Sequence, residues 1–190
     1  MKILFAKHWQ VFLITYGIQF IVPLLVGTSR TLQPYLVKIE ISLVFILIVS
    51  LFWWLWSVSH TLQQFIEPSI RISTRLLNVA FILPVIYLVF ATIYFTKIGM
   101  MPLNKPGILV PHIISMICFF FVIGFAAKII KVAETGRPVS VNDYFGEFFL
   151  IFFFPIGIWL LQPRINRIVK SGSISNRQFE IDQGISRQDN

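Results

Sequence analysis

The sequence predicts an all-α integral membrane protein, a helical bundle of four transmembrane helices plus a fifth apolar segment. Three observations support this fold class. The 190-residue chain is 56% hydrophobic and 13% charged, whereas soluble domains are about 45–50% apolar and about 25% charged. Its mean hydropathy is +0.79. Its apolar residues form five blocks, and a helix needs about 20 such residues to cross a bilayer. We therefore expect residues 1–170 to form a single multi-pass membrane domain.

The first block covers residues 9–26 and contains no formal charge. A cleaved signal peptide is the alternative, because Lys2 and Lys7 resemble the charged region that precedes its apolar stretch. Gln10 and Gln19 interrupt what would otherwise be a clean apolar region. This interruption favours a retained transmembrane helix.

The next three blocks are predicted spans over residues 41–59, 76–95 and 108–127. Pro84 and Pro111 lie inside the last two, and membrane helices tolerate proline because neighbouring groups satisfy the freed carbonyl. Kinks are expected there. Tryptophans concentrate at membrane–water interfaces, so we predict four interfacial anchors: Trp9, Trp53, Trp54 and Trp56.

The fifth block, within residues 141–162, permits two topologies. Ser140 followed by Asp143 matches the capping box that starts a helix, and a helix from residue 141 is long enough to span. Pro155 and Gly157 interrupt it, and the alternative is a re-entrant or interfacial hairpin that turns at Pro155 to Gly157 and returns to the same face. Both alternatives stay open at this point.

Counting Lys and Arg on each side of the membrane separates the two topologies. If all five blocks span, the N-terminal side carries seven cations and the opposite side nine, which favours no orientation. If the fifth block re-enters, the tail joins the N-terminal side, which then carries 12 cations against four on the opposite side. This difference is a strong positive-inside bias. In both cases the first four blocks place the N-terminus in the cytoplasm, with seven cations on its side and four on the other.

Two stretches resemble segments of small, uncharacterised multi-pass membrane proteins of bacteria. They are FWWLWSVSHTLQ, at the end of the second block, and GEFFLIFFFPIGIWLLQPRIN, across the fifth block. The second stretch is the more specific. The resemblance implies a bacterial inner membrane, but it implies no activity and no residue roles.

Polar residues at membrane depth are candidate functional groups, because burying them in lipid is costly. Four fit this description: Gln19, Asn78, His112 and Glu147. His112 shares a helix face with Ser115 and Met116, which suits a proton relay or a soft-metal site if a partner helix supplies more ligands. The simpler interpretation is that His112 reaches water or a carbonyl, and that Gln10, Gln19 and Asn78 hydrogen-bond across helices.

Charged residues cluster around the last connection and the end of the fifth block. Glu134, Asp143 and Glu147 can in principle serve as acid and base, but Lys128, Lys131 and Arg137 are nearby, which favours ion pairs. A basic cluster follows the last apolar residues, and we expect it to contact anionic lipids: Arg164, Arg167 and Lys170. The polar composition of residues 171–190 predicts a disordered tail.

The sequence lacks the usual motifs of hydrolytic, nucleotide-binding and thiol enzymes. It has no HExxH zinc motif, no Gly-x-Ser-x-Gly nucleophile elbow, no phosphate-binding glycine loop and no Cys-x-x-Cys. Cys118 is the single cysteine. We expect no metal, no cofactor and no nucleic-acid partner.

These observations predict a non-catalytic membrane protein, a subunit or accessory factor that associates with itself or with another membrane protein. The alternative is a small oligomeric transporter or channel whose path is lined by the four intramembrane polar residues. An enzyme at the membrane interface ranks third, because no recognisable acid–base constellation is present.

Overall fold

A computed structural model describes residues 7–28, 35–98 and 105–188. No strand occurs in these ranges, which confirms an all-helical protein. Lys2 and Arg30, both counted in the charge comparison, lie outside the described residues, as do residues 189–190 of the tail.

The first apolar block is helical but divided. Helix α1 (His8–Phe12) is followed directly by a π-helical segment (Leu13–Gly17) and by α2 (Ile18–Thr28). A π-helical turn is wider than an α-helical one and changes the register of the residues that follow. The longest α-helix of this block has 11 residues, too few to span a bilayer by itself. Membrane crossing by the whole block stays a prediction.

Three helices are long and apolar enough to cross a membrane. They are α3 (Leu36–Leu62), which a 3-10 turn extends to Phe65, α4 (Arg75–Ile98) and α5 (Pro106–Thr135). Each contains one of the spans predicted at 41–59, 76–95 and 108–127, and each extends beyond it. Gly136 caps α5 with a φ of 65°, a left-handed conformation in which glycine carries no steric cost.

The fifth block forms two helices, α6 (Val141–Phe152) and α7 (Phe154–Gln188), which fold back on each other. The chain reverses at Phe153, whose ψ of 52° departs from helical values, and not at the predicted Pro155 to Gly157, which lie in the first turn of α7. Proline fits there because the first residues of a helix need no backbone N–H partner. Beyond the turn, Gly157 packs directly against the backbone of Leu150. Because the chain returns along α6, the structure has the hairpin and not a continuous fifth helix. The predicted capping box is present, with Asp143 accepting hydrogen bonds from Ser140.

The tip of this hairpin lies level with the middle of α5. The ring of Phe152 stacks on that of Phe120 with a centroid separation of 6.0 Å, and Phe120 is near the centre of α5. The 12 residues of α6 rise about 18 Å, little more than half of a bilayer core of about 30 Å. The hairpin is therefore about half as deep as a membrane-spanning helix is long, and its entry into the membrane stays a prediction.

The hairpin brings the first half of α7 to the end of the bundle at which α1 begins. Phe65 after α3, Glu134 near the end of α5 and Arg167 of α7 line one cavity. Helix α1 runs antiparallel to α7, because Phe12 contacts Trp159 while the later Tyr16 contacts the earlier Phe154. Which side of the membrane this end of the bundle faces stays a prediction.

Helix α7 continues to Gln188 and thus through most of the segment whose composition predicts disorder. Residues 171–188 contain no proline. Because propagating a helix that is already formed costs far less than starting one, the packed first half of α7 favours continuation of the helix.

Candidate functional site

Four charged side chains from three helices meet beside the open end of the hairpin. They are Lys131 and Glu134 of α5, Glu147 of α6 and Arg164 of α7. We call this group the charge cluster. Its four formal charges cancel.

Arg164 is the centre of the charge cluster. Its Nη2 donates to Glu147 Oε1 at 2.6 Å and to Glu134 Oε2 at 2.5 Å, while its Nε donates to Glu134 Oε1 at 3.0 Å. Lys131 Nζ lies 3.4 Å from Glu147 Oε1 and 3.6 Å from Glu134 Oε2. Hydrogen bonds between ionised groups are about twice as strong as those between neutral groups. The cluster therefore ties α5, α6 and α7 together.

Glu147 is the most enclosed member, with 6% of its side chain exposed. An isolated carboxylate is costly to bury, and paired cations reduce that cost. The predicted ion pair with Lys131 is confirmed, whereas sequence reasoning missed the pairing with Arg164. The guanidinium of Arg164 bonds two carboxylates, and the predicted contact of Arg164 with lipid stays a prediction.

Asp143 does not join the cluster. Its carboxylate accepts from the backbone N–H of Ser140 at 2.8 Å and from the Ser140 hydroxyl at 3.0 Å. These two hydrogen bonds hold the pKa of Asp143 below its usual value, and the bond from the backbone N–H has the larger effect. Of the three carboxylates considered for acid–base chemistry, one therefore caps α6 and two form ion pairs.

A cavity of about 330 Å³ adjoins the charge cluster. We call it the polar cavity, and its lining comes from the end of α3, the end of α5 and one face of α7: Phe65, Ala133, Glu134, Arg164, Arg167, Ile168, Ser171 and Gly172. On α7 the lining residues recur every three or four positions, so they share one helix face. Lys170, also predicted to contact lipid, is not among them.

Trp54 is buried in the protein, whereas Trp53 and Trp56 are exposed by 62% and 42%. The indole Nε1–H of Trp54 donates to Gln162 Oε1 at 3.0 Å, and its ring packs edge-on against Phe154. Residues one position apart on a helix point about 100° apart, so neighbouring tryptophans face different surroundings. Trp54 is thus a core residue and not an interfacial anchor. Anchoring by the exposed tryptophans stays a prediction.

The three other intramembrane candidates each bond to a different helix. Gln19 donates to the Leu43 carbonyl from α2 to α3, and Asn78 Oδ1 lies 3.0 Å from Nε2 of His60. These two bonds confirm the predicted interhelical role. Gln10, by contrast, accepts from the Lys7 backbone N–H at the start of its own helix.

His112 bonds to the hydroxyl of Tyr87, 2.9 Å from its Nδ1, and so joins α5 to α4. The pair lies at a groove of about 250 Å³ between α3, α4 and α5, whose other lining residues are almost all apolar. Ser115 and Met116 also line it, as their shared helix face predicts. Over the described ranges, no group of three or more His, Cys, Asp or Glu side chains is placed to hold a metal ion.

Comparisons with known proteins identify no match to this chain, whether among protein families, curated proteins or solved structures.

Proposed function

We propose that the chain is a non-catalytic subunit or accessory factor of a complex in a bacterial inner membrane. The observation that carries this proposal is the exposed turn of the α6–α7 hairpin. Phe153, at the turn, is 55% exposed, and Ile156, just after it, is 70% exposed.

An exposed turn at this depth calls for protein cover. The last carbonyls of a helix have no partners within it, and a bilayer core offers no water to replace them. Irregular backbone at membrane depth is tolerated where protein or a water-filled cavity covers it. A neighbouring protein seated on the turn supplies that cover.

The surface around the turn suits such a partner. Phe145, Phe149, Phe152 and Phe153 are each more than two-fifths exposed. Their rings contact one another in sequence, with centroid separations from 4.8 to 6.4 Å. Aromatic side chains arranged in this way present a large and rigid apolar surface, which is typical of residues that dominate binding. A Cβ added to Gly146 meets nothing within 4 Å, so this helix face is open to close approach.

A small oligomeric transporter or channel is the alternative function. The groove at His112 and Tyr87 favours it, because this groove places two polar side chains inside a mostly apolar region. One observation weighs against a transport path through a single copy of the chain. Each of the four polar candidates hydrogen-bonds to a different residue, so they do not line one common path: Gln19, Asn78, His112 and Glu147.

Location and orientation follow from the sequence resemblance and from charge. The resemblance to small bacterial multi-pass proteins favours the inner membrane. With the tail on the N-terminal side, the positive-inside rule favours a cytoplasmic location for both termini.

Photo-crosslinking at the turn tests the subunit role. A photoreactive phenylalanine analogue is introduced at Phe153, and as a matched control at Ile86, a 61% exposed residue of α4. After irradiation in native membranes, we expect one discrete protein adduct at position 153 and only lipid adducts at position 86. Mass spectrometry identifies the adduct.

The identity of the adduct separates the hypotheses. A different membrane protein supports the accessory role. A second copy of the chain without other partners moves the oligomeric transporter to first place. Lipid adducts alone at position 153 contradict the proposal, because they show a turn with no protein cover.

A further inference from the structure

We infer that the polar cavity binds one phosphate-bearing group, either a lipid head group or a small soluble phosphate ester. This assignment is independent of the subunit role. It also goes beyond a diffuse attraction of basic residues to lipid, because it places the ligand in one cavity with named donors.

The charges around the polar cavity favour an anion. Both carboxylate oxygens of Glu134 accept from Arg164, so its charge is already matched. The charge cluster as a whole is neutral, and Arg167 then adds one further positive charge at the cavity wall. Among the residues up to Gly172 whose side chains the structure describes, no carboxylate lies within ion-pair distance of Arg167.

Hydrogen-bond donors are also available there. The bonds of Arg164 to its two carboxylates use Nε and Nη2, so Nη1 still carries two N–H groups. The guanidinium of Arg167 provides five more. Arginine suits phosphate recognition, because its planar fork matches two phosphate oxygens at once.

The position and shape of the cavity fit a head group. Glu134 is the second-last residue of α5, so the cavity lies where a membrane-spanning helix reaches the interface. Phe65 and Ile168 give it an apolar side. Gly172 lets α7 pack closely against Phe65, since a Cβ there would lie 2.2 Å from the Phe65 ring. A volume of about 330 Å³ holds a phosphate together with a few carbon atoms.

Binding is measured on the full chain, delipidated in a neutral detergent, by native mass spectrometry. The probes are dioleoylphosphatidylglycerol, dioleoylglycerol, which has the same chains without phosphate, and soluble glycerol 3-phosphate. We expect a single saturable site for at least one phosphate-bearing probe and none for dioleoylglycerol. Arg167→Gln should weaken that site about tenfold or more, the range expected for a charge-assisted bond, and Arg167→Glu should abolish it.

Arg137→Gln is the matched control, since Arg137 is an exposed cation of the α5–α6 connection outside the cavity. It should weaken binding by less than about twofold at physiological salt, where exposed charges are screened. Gel filtration shows that each variant remains folded.

The probes distinguish the two sources of phosphate. Binding of the lipid alone assigns a head group, and binding of glycerol 3-phosphate with the same dependence on Arg167 assigns a soluble ester. The proposal is overturned if no phosphate-bearing probe binds, if dioleoylglycerol binds equally well, or if Arg137→Gln weakens binding as much as Arg167→Gln.

Discussion

Nη2 of Arg164 lies 2.6 Å from Oε1 of Glu147, although the two residues are 17 positions apart in the chain. In a continuous helix these residues would be about 25 Å apart. Their contact exists because the chain reverses at Phe153 and returns beside α6. The ion pair is thus a direct consequence of the hairpin.

Removing the guanidinium should destabilise the fold. Arg164→Gln leaves Glu147 enclosed with Lys131 at 3.4 Å as its remaining ionic partner. Losing one partner of a fully buried pair costs about 3–5 kcal/mol. Because a quarter of the Arg164 side chain is exposed, we expect a loss of about 2 kcal/mol in the free energy of unfolding. Equilibrium unfolding in mixed detergent micelles measures it.

Two further variants make this prediction specific. Glu147→Gln combined with Arg164→Gln should recover part of the lost stability, since no unpaired carboxylate then remains. Arg137→Gln removes an exposed cation and should change the unfolding free energy by less than about 0.5 kcal/mol. Equal losses in Arg164→Gln and Arg137→Gln would contradict a role for the buried pair.

The sequence predicts the helices better than their contacts. The blocks at 41–59, 76–95 and 108–127 coincide with long helices because length and apolarity are properties of one segment. Pairing of Arg164 with Glu147 depends on how two segments meet, which composition does not encode. Cation counts favour the hairpin, but re-entrant segments are rare because their irregular backbone needs protein cover, so the sequence alone leaves both topologies open.

Gly157 should be required for the hairpin. A Cβ at this position would lie 1.7 Å from the Leu150 carbonyl oxygen, and backbone cannot move away as a side chain can. We expect Gly157→Ala to destabilise the protein by about 3 kcal/mol or more, at or above the usual cost of overpacking. The midpoint of thermal unfolding in detergent should fall accordingly.

Gly146→Ala is the matched control, because its added Cβ meets nothing within 4 Å. Alanine favours a helix over glycine by about 0.5–1 kcal/mol, so this variant should be neutral or slightly more stable. Equal stability of the two variants would show that Gly157 does not approach Leu150 closely.

The hairpin also determines the side of the C-terminus. Because α7 returns to the end of the bundle that holds α1, reporters fused to the N- and C-termini should report the same side of the membrane. A reporter inserted between α4 and α5 should report the other side. The side of each position is measured with two reporters, one active only in the cytoplasm and one active only outside it. Opposite sides for the two termini would require the fifth block to span.

Trp54 and Trp53 should differ in their access to lipid. Trp54 is fully buried and bonded to Gln162, whereas Trp53 is 62% exposed. The sequence cannot distinguish them, because both lie in one tryptophan-rich stretch. Two variants retain either tryptophan alone, with the other four replaced by phenylalanine. In vesicles of brominated phosphatidylcholine, which quenches by contact, we expect strong quenching of Trp53 fluorescence and little quenching of Trp54. Similar quenching of both would place Trp54 at the lipid surface and contradict its bond to Gln162.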